Sequence, residues 1–282
     1  MMDCLVDGKP ADTIPVDDRG LQYGDGLFET FAIQSGELQY AERHFSRLAA
    51  GCERLGFTAV DWPTLRSEAT AFAAGRQTGV LKLMLTRGSG RRGYTADGAM
   101  PVRRILSLSD FPEWQGVPSE QGIRTRLCQL QLADQPRLAG IKHLNRLEQV
   151  LARREWQEEA IREGLLCDTQ GNIVEGTMSN LFAVRDGILH TPRLEHCGVA
   201  GVMRAVIIDV AVQAGLPLEI SSLSRQDVQQ ASELFVCNSL IGLWPVIQID
   251  DLGDYPAGPV TRRLQSLVQA HDDHNNDTWY AK

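Results

Sequence analysis

The sequence predicts an α+β protein of two domains. Three observations carry this expectation. Short β-rich runs alternate with two amphipathic helices over roughly the first 110 residues. A stretch dense in proline and glycine, Phe111 to Gly122, then breaks the pattern, and strand, helix and hairpin signals resume beyond it. The expected boundaries are 1–111 for a small amino-terminal domain, 112–122 for a linker and 123–282 for a larger carboxy-terminal domain.

Each element has its own signal. Cys4-Leu5-Val6 reads as a strand turning at Asp7-Gly8. Leu27 to Ile33 reads as a strand that ends at the Ser35-Gly36 turn. From Ala41 to Leu55, Phe45, Leu48, Cys52 and Leu55 recur at helical spacing, and Gly56 stops the helix. Asp61 and Pro63 open a second helix, Trp62 to Ala74, closed by Gly75. Val80 to Thr86 and Arg104 to Leu108 complete the first domain as strands. In the second, Ile123 to Leu132 alternates as a strand, and a helix is expected from Leu144 to about Arg162. Hairpins turn at Gln170-Gly171 and Asp186-Gly187. A helix from Val202 to Ala214 ends at Gly215, and the strand Leu234 to Cys237 leads into Asn238-Ser239. The polar tail, His271 to Lys282, is expected to fray.

Composition narrows the function. With 282 residues, 43% of them hydrophobic, the chain can bury a sizeable core. A net charge of −8 gives no support for nucleic-acid binding. The start lacks the basic and apolar regions of a secretory signal, and no apolar run approaches the ~20 residues of a membrane span. The six cysteines are scattered singly and the six histidines lack metal-ligand spacing, so a cytoplasmic protein with reduced thiols and no metal is expected.

Chemistry concentrates in a few places. Only four of the 28 basic residues are lysine: Lys9, Lys82, Lys142 and Lys282. Lys9 lies in a polar turn, Lys82 inside an apolar run, and Lys282 is the last residue. Lys142 stands between Ile141 and Leu144 at a loop-to-helix junction, where an ammonium loses hydration and its amine becomes a nucleophile or base. A solvated lysine at a helix start is the other reading. Val199-Ala200-Gly201-Val202-Met203-Arg204 runs from a small-residue loop into a helix, a geometry that suits a phosphate but is common in α/β chains. Glu175 ends a β-branched run and reads either as a surface carboxylate or as one holding a proton on a ring nitrogen. Arg87-Gly88-Ser89-Gly90-Arg91-Arg92-Gly93-Tyr94 is the densest positive cluster of an acidic chain and suits an anionic substrate, though it also reads as a solvated loop. Arg47 can reach a phosphate from the edge of its helix or turn out to solvent.

Together these segments resemble the fold-type IV pyridoxal 5'-phosphate (PLP) enzymes, the group holding the branched-chain and D-amino-acid aminotransferases. The longest match runs from Glu175 through Thr177, Asn180, Leu181, Phe182, Leu189 and Thr191 to Val199, Gly201, Val202 and Arg204. Asp18-Arg19-Gly20-Leu21-Gln22-Tyr23-Gly24-Asp25-Gly26-Leu27-Phe28-Glu29 resembles the amino-terminal motif of that family. The resemblance implies a small α/β domain, a larger domain with a β-barrel-like core, and cofactor between them. It implies that Lys142 carries PLP as a Schiff base and that Glu175 meets the pyridine nitrogen. Arg47, the N–H groups of Val202 and Met203, and Asn238 and Ser239 would hold the phosphate. Arg92 and Tyr94 match a substrate-carboxylate loop that relatives lend to a neighbouring subunit, which implies a homodimer. Ala139 to Val150, Arg87 to Tyr94, and Thr30 after Phe28-Glu29 look most like the lyase branch. That branch converts 4-amino-4-deoxychorismate to 4-aminobenzoate and pyruvate for folate synthesis. Thr30 would assist that elimination, with Phe28 beside the substrate. An aminotransferase on the same fold is the alternative, and a PLP-binding module without turnover a remote one.

Overall fold

The computed structural model describes residues 3–90, 92–96, 100–114, 116–250 and 252–277. The chain divides into two compact units, Met1–Glu113 with Ile141–Arg146, and Trp114–Gly140 with Leu147–Lys282.

The first unit contains β1 (Asp3–Val6), β2 (Lys9–Pro10), α1 (Arg19–Tyr23), β3 (Gly26–Gln34), β4 (Glu37–Leu38), α2 (Ala41–Leu55), α3 (Trp62–Ala73), β5 (Thr78–Thr86) and β6 (Arg103–Ser109). Its strands form one antiparallel sheet in the order β2-β1-β6-β5-β3-β4. Asp7 and Ser35 adopt positive φ and are followed by Gly8 and Gly36, also at positive φ, the turn chemistry that matches strand twist in a two-residue hairpin. Leu27, Phe31 and Ile33 of β3 are buried, as are Phe45, Leu48 and Cys52 of α2. The Phe31 and Phe45 rings meet at 5.5 Å. Phe28 and Thr30, one residue out of phase, point to the other side of the sheet and are half-buried.

The second unit contains α4 (Pro118–Gln121), β7 (Ile123–Gln131), α5 (Leu147–Arg153), β8 (Ile161–Cys167), β9 (Ile173–Gly176), β10 (Asn180–Arg185), β11 (Ile188–Pro192), α6 (Val202–Gln213), β12 (Leu218–Ser221), α7 (Arg225–Gln229), β13 (Glu233–Asn238), β14 (Gly242–Ile249), β15 (Gly253–Asp254) and α8 (Pro259–Asp277). Six strands run β10-β13-β14-β7-β8-β9, and β9 pairs back onto β10 through Glu175 and Asn180. The circuit closes, which gives the expected barrel-like core, while β11 and β12 extend the sheet outward from β10. Leu165, Ile173, Leu181, Leu234, Val236 and Val246 fill one core cluster of this unit.

Several sequence expectations are corrected. The helix expected from Leu144 to Arg162 is only α5, seven residues long. Beyond it the chain turns, Trp156 is buried with its indole N–H donating to the Ile161 carbonyl at 3.0 Å, and Ile161 opens a strand. Lys142 therefore sits in an irregular segment ahead of α5, not at its first turn. The linker segment 112–122 holds α4, whose Pro118 is buried. The tail continues as helix to Asp277, and residues 278–282 lie outside the described residues. All six cysteines are free. Among the described residues no helix is long and apolar enough to cross a membrane, and no group of His, Cys, Asp and Glu could hold a metal ion.

Candidate functional site

In the first unit, β4 covers only the far end of β3. The near end pairs instead with the Lys142 segment. Phe28 N–H donates to the Lys142 carbonyl at 2.9 Å and Leu144 N–H to the Gly26 carbonyl at 3.0 Å. The Asn145 side chain donates to the Gly24 carbonyl at 3.1 Å. Gly24, at φ 65°, has no room for a side chain: a Cβ there would fall 2.5 Å from Asn145 Oδ1. The Gly24-Asp25-Gly26 run thus seats the lysine segment. The Lys142 ammonium lies 4.5 Å from the centre of the Phe28 ring.

His143, next in sequence, faces Arg146, whose guanidinium approaches its Nε2 at 2.5 Å and its carbonyl at 2.9 Å. Burial and the Arg146 charge push the imidazole down to about 4, so it is neutral near pH 7.

Behind the same sheet lies a buried charged triad. Glu29, 1% exposed, accepts from Arg47 Nε at 2.8 Å and from a terminal nitrogen of the same guanidinium. It also lies 2.6 Å from His44 Nδ1. Burial alone would raise the Glu29 carboxyl, but the Arg47 charge and the hydrogen bonds from Arg47 and His44 hold it at about 2. Burial lowers His44, which Glu29 partly opposes. Arg47, expected at a phosphate, is therefore oriented from below by a carboxylate the sequence reading left without a role. Two signals mark that triad in the sequence. Glu29 shares the buried strand face of Leu27 and Phe31, and His44 and Arg47 lie three apart on α2.

The arginine-rich loop is split in function. Arg87 is buried and bound to Asp25 and to the carbonyls of Leu55 and Gly56. That occupies the guanidinium and removes Arg87 from the anion-binding group expected there. Arg91 lies outside the described residues. Arg92 is exposed, and Tyr94 is 86% exposed. Arg19, 3% exposed, fixes the loop by donating to the carbonyls of Gly93 at 2.8 Å and Tyr94 at 3.0 Å.

In the second unit, barrel closure builds a second cluster. Glu175, 3% exposed, accepts from Val199 N–H at 2.7 Å, and Asn180 donates to the Val199 carbonyl at 2.8 Å. The paired residues that close the barrel thus hold both the N–H and the carbonyl of one residue, Val199. Gly201, the N-cap of α6, would place a Cβ 2.0 Å from Asn180 Oδ1, so only glycine fits. No side chain caps α6, and its first turn carries Val202 and Met203. Asn238 does not present its side chain. Its Oδ1 accepts from Leu240 and Ile241 N–H at 2.8 and 3.0 Å, and its Nδ2 donates to the Met178 carbonyl at 3.0 Å. Asn238 braces this turn, and Ser239 beside it is half-buried.

Glu163 on β8, absent from the sequence expectations, is 1% exposed. It accepts from the N–H groups of Gly164, Thr177 and Met178 and from the hydroxyls of Thr177 and Ser179, at 2.6 to 3.2 Å. It organises the turn that follows Glu175. A lone acid between Ile161 and Leu165 was the available signal.

The sequence compares closely with known proteins. Residues 26–249 match the family model for amino-transferase class IV. The aminodeoxychorismate lyase of Vibrio harveyi is 36% identical over 264 residues, which covers 92% of this chain and 97% of that protein. A D-alanine aminotransferase of Listeria innocua is 27% identical, with coverage of 94% and 92%. Among solved structures, 4-amino-4-deoxychorismate lyase from Pseudomonas aeruginosa superposes with a TM-score of 0.92 at 48% identity, covering 96% of this chain and 98% of that one.

Proposed function

The chain belongs to the amino-transferase class IV family, and from that membership we propose that it is a PLP-dependent lyase converting 4-amino-4-deoxychorismate to 4-aminobenzoate and pyruvate in folate synthesis. The observation that carries this reading is near-full-length identity of 36% and 48% to lyases of that activity, against 27% to the D-alanine aminotransferase. The donor set suits the cofactor: a primary amine over an aromatic ring, a buried carboxylate, an arginine oriented by Glu29, and an uncapped helix start. When bound, PLP supplies an electron sink for the carbon that carries the substrate amine.

The protein's residues do the rest. Lys142 would hold the cofactor through its amine and would take the proton from the substrate carbon bearing nitrogen. Glu175 would keep a proton on the ring nitrogen of the cofactor. Arg47, the N–H groups of Val202 and Met203, and Ser239 would hold the phosphate, whereas the Asn238 side chain is already engaged. Thr30 donates a hydrogen bond to the departing enolpyruvyl oxygen, and Phe28 bounds the ring. Arg92 and Tyr94 grip substrate carboxylate, lent by a partner subunit of a cytoplasmic homodimer.

Purified protein given 4-amino-4-deoxychorismate without any keto acid tests the reading. Stoichiometric pyruvate and 4-aminobenzoate are expected. Turnover only when a keto acid is added identifies an aminotransferase. Cofactor absorbance with no product from any amine identifies a binding module.

A further inference from the structure

We propose that Glu163 is a positioning residue for the cofactor phosphate, acting through Met178 and Asn238 on Ser239. The inference rests on the phosphate contact assigned to Ser239 above. Glu163 lies on β8, is 1% exposed, and accepts five hydrogen bonds. Its Oε1 accepts from the N–H groups of Gly164 and Thr177 and from the Thr177 hydroxyl. Its Oε2 accepts from Met178 N–H at 3.2 Å and from the Ser179 hydroxyl at 2.7 Å. A carboxylate brings two acceptor oxygens to these donors, whereas an amide brings one. The acid therefore fixes residues 177–179 as one body.

Met178 is where that body meets a second turn. Its side chain is 43% exposed, so burial does little to hold it. Its backbone is tied on both sides instead: the N–H donates to Glu163, and the carbonyl accepts from Asn238 Nδ2 at 3.0 Å. Asn238 Oδ1 in turn accepts from the N–H groups of Leu240 and Ile241 at 2.8 and 3.0 Å. Those bonds close the turn between β13 and β14, and Ser239 is the first residue of that turn. A continuous path of hydrogen bonds thus leads from a buried acid to the turn that carries Ser239.

The ring-nitrogen contact proposed for Glu175 lies off this path. Glu175 pairs with Leu166 on one side and Asn180 on the other, and its carboxylate accepts from Val199 N–H. The loop before α6 hangs on Asn180, which donates to the Val199 carbonyl. None of these bonds uses the Glu163 carboxylate. Loss of the acid therefore loosens the Ser239 contact and leaves the ring contact in place, whereas a merely structural role would weaken both.

Equilibrium binding to the full-length protein, freed of cofactor, separates these outcomes. The probes are PLP and pyridoxal, which differ only in the phosphate, read by quenching of tryptophan fluorescence. Glu163→Gln should cut the preference for PLP over pyridoxal about tenfold, as loss of one hydrogen bond to a charged group warrants, with pyridoxal affinity within about twofold of wild type. Asn238→Ala should cut the preference as much, and adding Glu163→Gln to it should change the preference by less than about twofold. Should Glu163→Gln fail to fold, Glu163→Asp keeps the charge but retracts it by one methylene, and a selective loss of about threefold is expected. Equal weakening of both probes, an unchanged preference, or full additivity in the double variant overturns the proposal. Ser239→Ala isolates the phosphate assignment, since a preference that survives it overturns that assignment whatever Glu163 does. The keto-acid-free product assay reports on the lyase reading separately.

Discussion

At the residue scale, a charged group inside an apolar layer has to be explained by its partner, and Glu29 is the clearest case. Its carboxyl stands at about 2, below the ordinary value of 4.5, so it adds stability that is fully present above pH 4.5 and is lost as pH falls towards 2. In urea titrations, wild type should exceed Glu29→Gln by about 3 kcal/mol near pH 7, and the difference should shrink below pH 4.5. A pH-independent difference would contradict the buried ion pair. The same variant should weaken PLP retention on dialysis, because Arg47 loses the group that orients it. The two proposed reacting residues differ in kind. Lys142→Ala should lose far more activity than Thr30→Ala, for which about 10²-fold to 10⁴-fold is expected, because the lysine also anchors the cofactor. Similar residual rates would contradict those roles.

At the element scale, what the sequence made legible followed from local chemistry. Asp7-Gly8, Ser35-Gly36 and Asp186-Gly187 fixed three hairpins, because positive φ at both positions admits few residues. Helix α2 was legible from its apolar stripe and Gly56, which closes it at φ 70°. Beyond Arg153 the charged run Arg154 to Glu159 imitates a solvated helical face, and only tertiary contact turns it away. Glu155 accepts from the N–H groups of Gln129 and Leu130 at 2.7 and 2.9 Å, a long-range contact that periodicity does not encode. The role of Glu163 was hidden for the same reason, since four of its five hydrogen bonds come from residues 14 to 16 positions away. Its five hydrogen bonds make the turn after β9 costly to disturb. Glu163→Ala should destabilise the protein by about 3 kcal/mol or more in urea unfolding, since buried donors would be left without an acceptor. A loss below about 1 kcal/mol would show that the turn stands without it.

At the scale of the whole molecule, the covalent path of the chain carries a consequence. The chain runs from the second unit into the first at Ile141, presents Lys142, and returns at Leu147. Barrel closure places Glu175 and Asn180 in one register pair, and both then hold Val199. A periodicity argument sees strands but not a closed circuit, so the resemblance of the Glu175 to Arg204 segment carried that expectation. Neither route foresaw that Asn238 would be spent on its own turn, or that Arg47 would rest on Glu29. The proposed homodimer predicts elution at twice the chain mass in size-exclusion chromatography. A monomer with full lyase activity would contradict a substrate loop supplied by the partner.

Everything proposed for catalysis depends on one amine. Borohydride reduction of the holoenzyme, followed by peptide mass mapping, locates the residue that carries the cofactor. The expected result is a single phosphopyridoxyl label on the peptide bearing Lys142, with loss of the visible absorption band. A label on Lys82, or a cofactor that reduction leaves unattached, would contradict the assignment.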